Sequence, residues 1–273
     1  LVTAAAPARD AGEDDSLATS LTGAPWIWYA QPFPHVVARN VFVPDVQAQL
    51  EAGFGAVFDE RVRRAEAEAS ALPADGKRAA RRYDADIVSF AEHHRTLFPV
   101  LLDAAFHRML ARLMDVRATG DIDGGIHHHV PGSATGWVHN DLNPGWFTPS
   151  DRDVNLPDHA RGGYKTGRAL DGIAPVMRVR AAALIYFLGN GSWRDGDGGE
   201  TGLYAFEKQP VGAPSKRIAP IDNSLLSFRC TPHSYHAFLS NVRSARRSII
   251  LWLHEDVSAA DARWGRGSLV GWG

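Results

Sequence analysis

At Gly120 the chain changes character, and that change constrains the fold more than any other feature. Before it, apolar residues recur at helical spacing. After it, short strand-like runs follow one another, separated by Gly, Pro and Asn. The first half opens with a strand-like alternation over Pro32–Phe42. A Pro44-Asp45 helix start then leads into 46–64, where Leu50, Phe54, Val57, Phe58 and Val62 share a face. Residues 65–82, charged and alanine-rich, read as a solvated helix or a mobile loop. A second helix is expected over Ile87–Met114 through Phe90, Leu97, Leu101, Leu102, Phe106, Met109, Leu110 and Leu113. The second half offers strands at 125–130, 136–139, 179–188, 201–205, 224–228, 236–239 and 248–253. Helices followed by many short strands predict an α+β fold. Helical support at 44–115 would back an antiparallel sandwich or barrel at 120–256.

A chain of 273 residues suits one large domain, because single cores stop growing at roughly 250–300 residues. We place it at 25–273. Residues 1–24 read as a disordered leader, since LVTAAAPARDAGEDDS lacks the basic and apolar regions of a signal peptide. The longest apolar run, Ala181–Leu188, is eight residues, far short of the roughly 20 that cross a bilayer. A net charge of −2 argues against nucleic acid, and the lone Cys230 cannot form an internal disulfide. A cytoplasmic setting is expected. Twelve histidines against one cysteine imply that any metal is held by nitrogen and oxygen.

His139-Asn140-Asp141 carries the chemistry. On a strand, residues i and i+2 leave the same face, so the imidazole and the carboxylate point together while Asn140 points away. One more imidazole completes the two-histidine, one-carboxylate triad of non-heme iron(II) oxygenases. His236, at the start of a strand, supplies it. Ten residues on, Arg246 opens another strand, where it shares a face with Ser248 and offers a planar grip for a cosubstrate carboxylate. His233 with Arg243 competes at the same spacing, but Arg243 falls in a turn-like stretch and leaves Arg246 without a role. The second His-x-Asp pattern, His254-Glu255-Asp256, has no histidine downstream and reads as surface or strand-end structure.

The chain here resembles the iron(II)- and 2-oxoglutarate-dependent dioxygenases, in their prolyl-4-hydroxylase-like branch. The carriers are Pro131-Gly132, the run Thr135-Gly136-Trp137-Val138-His139-Asn140-Asp141, and Arg180 leading into Leu184-Ile185-Tyr186-Phe187-Leu188. Trp193, the block from Asp197 to Leu203, the stretch Ile218–Phe228, His236, Arg246 and Trp252 follow in order, with Pro32-Phe33-Pro34-His35-Val36 as an amino-terminal strand. The resemblance implies a double-stranded β-helix, the jelly-roll or cupin-like barrel. It implies iron(II) on His139, Asp141 and His236, 2-oxoglutarate as cosubstrate with its distal carboxylate on Arg246, and dioxygen as oxidant. Tyr186 would add a hydroxyl to that carboxylate or serve as a plain core aromatic. An intact Asp141 favours oxygen insertion over halogenation.

For substrate, His127 and His129 alternate inward as pocket contacts or as buried strand histidines. Trp137 lines the pocket or packs the core, and Arg180 meets substrate or pairs with an acid. The insert 143–173, carrying Trp146, Phe147, Tyr164, Arg152, Arg161, Lys165 and Arg168, reads as a lid or as a solvated loop. The expected reaction is hydroxylation of a small molecule, an amino acid derivative or natural-product intermediate, with release of succinate and CO2. Alternatives are a peptidyl or prolyl hydroxylase and a non-oxygenase metal-binding cupin. No nucleic-acid or membrane partner is expected, and the oligomeric state is open.

Overall fold

The computed structural model describes residues 2–4, 15–70, 87–90, 92–157, 163–169, 172–191 and 193–272. In chain order they form β1 (Val2–Ala4), α1 (Asp15–Ser20), β2 (Trp26–Tyr29), β3 (His35–Arg39), α2 (Pro44–Ser70) and β4 (Ile87–Ser89). A 3-10 turn (Glu92–Thr96) and α3 (Ala104–Leu113) come next. Then follow β5 (Ile122–His129), β6 (Pro144–Phe147), β7 (Val176–Phe187), β8 (Thr201–Leu203), β9 (Lys216–Ile218), β10 (Ser224–Arg229), β11 (His236–Phe238), β12 (Arg246–Asp256) and α4 (Val257–Trp264).

The strands make a large antiparallel sheet, ordered β1-β2-β3-β10-β7-β12-β5-β4 with β6 also on β7. A small sheet, ordered β11-β8-β9, stands beside it. Together they form the double-stranded β-helix expected from the sequence, within an α+β fold. Strand alternation divides the core in two. Leu184, Tyr186, Leu225, Ile249 and Leu251 point to one side of the large sheet and pack with Leu50 and Phe54 of α2 and Phe106, Met109 and Leu110 of α3. Ala183, Ile185, Phe187, Leu226 and Phe228 point to the other and fill the barrel with Leu203 and Leu142. The helices thus brace the back of the sheet that carries the site.

The single helix expected over 87–114 is instead three pieces. Ile87–Ser89 pairs with β5, a 3-10 turn follows, and α3 begins only after Asp103, whose carboxylate caps it by accepting from Ala105 N at 2.6 Å and Phe106 N at 3.3 Å. Pro99 explains the break, since proline inside a helix removes a hydrogen bond and its ring clashes with the preceding turn. Helix α2 runs on to Ser70, so the first residues of the 65–82 stretch are helical, and 71–82 lie outside the described residues. The expected leader also carries structure: Val2–Ala4 pairs with β2, and Leu17 of α1 is buried. Within the 143–173 insert, β6 pairs with β7 and Phe147 and Tyr164 are buried, so this part of the insert is a packed wall of the large sheet, while Val154 and Leu156 join the helix-facing core. Arg161 lies outside the described residues. Gly145 of β6 allows that wall to close, because a Cβ there would stand 2.4 Å from the Tyr164 ring.

Candidate metal centre

His139 and His236 are brought together by backbone. They form an isolated antiparallel bridge, with His139 N donating to His236 O at 3.1 Å and His236 N to His139 O at 2.8 Å. The strand expected at 136–139 is reduced to this bridge and a bond from Gly136 N to Phe238 O. Asp141, two residues on, shares the side of His139. Asn140 turns away and donates to Pro232 O at 3.3 Å.

The donor atoms of His139, Asp141 and His236 all lie within 4.8 Å of one another, the one such cluster among the described residues. His236 Nε2 is 3.3 Å from Asp141 Oδ2, and His139 Nε2 is 3.8 Å from Asp141 Oδ1. One ion about 2 Å from each donor would hold them roughly 3 Å apart, so the set fits a metal with little movement. The tautomers fit as well. Nδ1 of His139 lies 2.9 Å from Trp137 O, and Nδ1 of His236 lies 3.0 Å from Ser234 O. A carbonyl only accepts, so each Nδ1 carries the proton and each Nε2 keeps its lone pair for a metal. Burial lowers His139 to about 4, with the charge of His236 adding to the effect. For Asp141 burial alone would raise the pKa, but the surrounding His236, Arg180 and His139 outweigh it and hold the carboxyl well below its usual range.

Behind Asp141 stand two donors. Trp252 Nε1 donates to Oδ2 at 2.8 Å, and Arg180 Nη1 donates to Oδ1 at 3.3 Å. Arg180 also gives Nη2 to Asp123 at 3.1 Å and Nε to the Tyr164 hydroxyl at 3.1 Å. It is 6% exposed. The expected substrate contact at Arg180 is therefore corrected to its other reading, an arginine paired with acids.

Arg246 enters the barrel at the start of β12 and is 3% exposed. Its Nη2 donates to Thr201 Oγ1 at 3.2 Å, the Phe187 and Phe238 rings lie 5.3 and 5.1 Å from its guanidinium, and Nε has no partner. Burial lowers it to about 9. Ser248, two residues along the same face, is fully buried with an unpartnered hydroxyl. A buried cation with an orphaned donor of its own and the orphaned Ser248 hydroxyl beside it is a cradle for an anion, and it fits one carboxylate of a dicarboxylic acid. The rival pair, His233 and Arg243, is exposed.

Tyr186 requires a correction. Ser248 pairs with Phe187 across β12 and β7, so Phe187 shares the face of Arg246 and Tyr186 takes the opposite one. Its hydroxyl donates to Asn223 Oδ1 at 3.1 Å and its ring meets Phe42 edge-on at 5.2 Å, in the helix-facing core. It cannot touch a ligand inside the barrel. His127 and His129 do face inward, opposite Ser248 and Arg246. The ring of His129 stacks on Phe238 at 4.1 Å, and His127 is lowered to about 3 by burial and by the charges of Arg246 and Arg180. Trp137 is 61% exposed, its ring 5.8 Å from that of His139, which rejects core packing. Trp146 is half-buried on β6, and a Cβ at Gly167 would stand 2.6 Å from its indole nitrogen, so it packs on the insert's own turn. His254 is fully buried and Glu255 nearly so; of the two readings of that pattern, strand end is the correct one.

Sequence reasoning missed Thr201, Asp123 and the indole donor of Trp252. Trp252 had a signal, because it stands six residues from Arg246 and so on the same strand face. Thr201 and Asp123 depend on register, which the sequence does not carry.

A barrel that sets two imidazoles and a carboxylate beside a buried arginine is the architecture of a metal-dependent oxygenase. Residues 161–254 match the family model of the 2OG-Fe(II) oxygenase superfamily, and the His139, Asp141 and His236 cluster is the donor set that such an oxygenase needs for iron(II) beside 2-oxoglutarate. The matched span holds His236 and Arg246; His139 and Asp141 precede it. No curated protein matches the chain.

Among solved structures, a prolyl 4-hydroxylase of Phytophthora capsici is 17% identical, with 83% of this chain and 60% of that one covered and a TM-score of 0.46. A Pseudomonas putida prolyl-4-hydroxylase is 17% identical over 88% and 96%, with a TM-score of 0.44. A Trichoplax adhaerens prolyl hydroxylase, in complex with a hypoxia inducible factor peptide fragment, is 16% identical over 84% and 86%, with a TM-score of 0.47. Among the described residues no helix is long and apolar enough to cross a membrane.

Proposed function

We propose that the protein is an iron(II)- and 2-oxoglutarate-dependent hydroxylase whose substrate is a side chain of a peptide. His139, Asp141 and His236 are the metal ligands, and Arg246 with Ser248 receives the distal carboxylate of 2-oxoglutarate. The observation that carries this reading is the buried, unneutralised guanidinium of Arg246 beside the orphaned Ser248 hydroxyl, inside the same barrel as the ligand cluster. A metal-binding cupin of another class has no use for that cradle.

Iron(II) held by His139, Asp141 and His236, with 2-oxoglutarate on Arg246, would supply the oxidising chemistry, in which dioxygen is consumed, succinate and CO2 leave and the substrate gains a hydroxyl. The chain's own residues do the rest. The backbone carbonyls of Trp137 and Ser234 fix which imidazole nitrogen faces the metal. Ile185, Leu226 and Phe228 form a dry wall, with the Phe228 ring 4.8 Å from that of His236, and keep water from the reacting centre.

The substrate reading rests on Trp137. A large exposed indole beside His139, whose own side chain is 30% exposed, makes an apolar shelf at the metal where a stretch of extended chain could lie. A small molecule, the substrate expected from the sequence, is the second reading. The test is a panel of peptides and small amino acid derivatives incubated with enzyme, iron(II) and 2-oxoglutarate, with prolyl peptides included because the compared enzymes are named for that activity. Succinate release stimulated by a peptide, with a mass gain of one oxygen on that peptide, is the expected result. Stimulation by small molecules alone overturns the peptide reading. Absence of the visible charge-transfer band when 2-oxoglutarate is added anaerobically to the iron(II)-loaded protein overturns the oxygenase reading as a whole.

A further inference from the structure

The guanidinium of Arg180 is the most heavily committed group in the barrel. Its three nitrogens donate to Asp141, Asp123 and the Tyr164 hydroxyl. Indoles lie against it, with Trp252 centred 3.5 Å and Trp272 4.8 Å from the guanidinium carbon, and the Tyr164 ring is 5.8 Å away. Burial alone would lower its pKa, but Tyr164, Asp141 and Asp123 raise it above its ordinary value. The partners are themselves anchored. The Tyr164 hydroxyl is 2.8 Å from His254 Nε2, and His254 Nδ1 is 3.1 Å from Asp121 O. Since that carbonyl can only accept, His254 Nε2 is an acceptor and Tyr164 donates to it. Trp272 donates to Pro144 O at 2.8 Å, and Val270 N to Leu142 O at 3.0 Å, so the end of the chain is strapped across the residues that follow Asp141.

We propose that Arg180 is a positioning residue of the metal centre, and that Tyr164 and the carboxy-terminal strap through Trp272 hold it in place. It acts through Asp141. A single carboxylate could rotate about its last torsion and present either oxygen. Donors on both oxygens, Arg180 on Oδ1 and Trp252 on Oδ2, fix its plane before any metal arrives. Asp123 sets the arginine's height in the barrel, Tyr164 its rotation, and the indoles its plane. This role rests on the metal reading above and goes beyond it, because it links the 143–173 insert and the carboxy terminus to the iron ligands.

The test measures Co(II) binding and the visible Co(II) bands in the apoprotein, with no turnover needed. Arg180→Gln is expected to weaken Co(II) binding roughly 10–100-fold and to shift the bands. The half-saturating 2-oxoglutarate concentration of metal-saturated protein should stay at the wild-type value. Arg180→Lys, which keeps the charge but not the planar fork, should recover part of the affinity. Arg246→Gln should do the reverse, leaving Co(II) affinity intact and weakening 2-oxoglutarate. A folded Arg180→Gln protein with wild-type Co(II) affinity and bands overturns the proposal and leaves the metal reading standing. A wild-type protein that does not take Co(II) overturns both. If Arg180→Gln loses its cooperative thermal transition, Tyr164→Phe decides in its place: a several-fold loss of Co(II) affinity supports the proposal, and no change overturns it.

Discussion

His139 and His236 face each other through two backbone hydrogen bonds, one in each direction, at 3.1 and 2.8 Å. Their Nδ1 protons are each engaged by a carbonyl two residues upstream. The ligand pair is therefore set by main chain and exists without metal, so metal binding should act on a folded protein and not create the fold. Far-UV circular dichroism should be the same with and without Co(II). At a hundredfold over its Kd, Co(II) should raise unfolding stability by about 2.7 kcal/mol through mass action. Asp141→Ala should remove that gain and abolish succinate release. Urea melts of both proteins with and without Co(II) check it, and an Asp141→Ala protein stabilised as strongly as wild type would overturn the ligand assignment.

Arg246 and Tyr186 lie on opposite faces of the same sheet, which predicts opposite behaviour in a 2-oxoglutarate titration. Arg246→Gln removes a charge-assisted carboxylate grip, a loss of roughly 10–100-fold in 2-oxoglutarate affinity. Tyr186→Phe removes one hydrogen bond to Asn223 in the helix-facing core, at a cost of about 1 kcal/mol in stability, with half-saturating 2-oxoglutarate unchanged. Succinate assays across 2-oxoglutarate concentration, paired with urea melts, separate the two effects. A raised 2-oxoglutarate requirement in Tyr186→Phe would contradict the face assignment.

The contrast between these residues also shows what the sequence carried. Strand alternation put His139 with Asp141, and Arg246 with Ser248, on common faces. Such pairs are local, so they are readable without knowing what lies across the sheet. Tyr186 carries two readings in the sequence because its face depends on the register of β7 against β12, a non-local quantity. Asp123 opposite Trp252 and Thr201 beside Arg246 were hidden for the same reason. The 87–114 segment shows a different failure. Its apolar spacing is helical, yet Pro99 and the capping Asp103 divide it, and Ile87–Ser89 gains strand hydrogen bonds that helical periodicity could not foretell.

His107 of α3 gives the fold a pH dependence of its own, away from the metal centre. It is 4% exposed, its Nε2 lies 2.7 Å from Leu101 O, and its Nδ1 has no partner. Burial lowers it to about 4; the Leu101 bond and Asp103 pull the other way, and Arg95 and Arg108 add to the lowering. In the unfolded chain it titrates near ~6.5. Between those values the unfolded state binds the extra proton, so stability falls as pH drops from about 6.5 towards 4, by something of the order of 1–3 kcal/mol. His107→Gln keeps a donor without the titration. Its stability, measured by urea melts of metal-free protein from neutral pH down to about 4.5, should fall less steeply than that of wild type. Equal slopes would mean that His107 is not held neutral.

Trp137 decides whether the shelf beside the metal belongs to the substrate. At 61% exposure its indole contributes little to the core, so Trp137→Ala should leave stability within about 0.5 kcal/mol of wild type. The main chain of Trp137 supplies the carbonyl that holds His139, and that contact survives the substitution. Metal binding and the substrate-free consumption of 2-oxoglutarate should accordingly be unchanged. What should change is the substrate: an exposed aromatic that packs on a peptide contributes on the order of 1–2 kcal/mol, so the KM for an active peptide should rise roughly 5- to 30-fold. Kinetics of peptide-stimulated succinate release, run beside the uncoupled reaction, give both numbers. A peptide KM that does not move would take Trp137 out of the substrate path and remove the structural support for a peptidyl substrate.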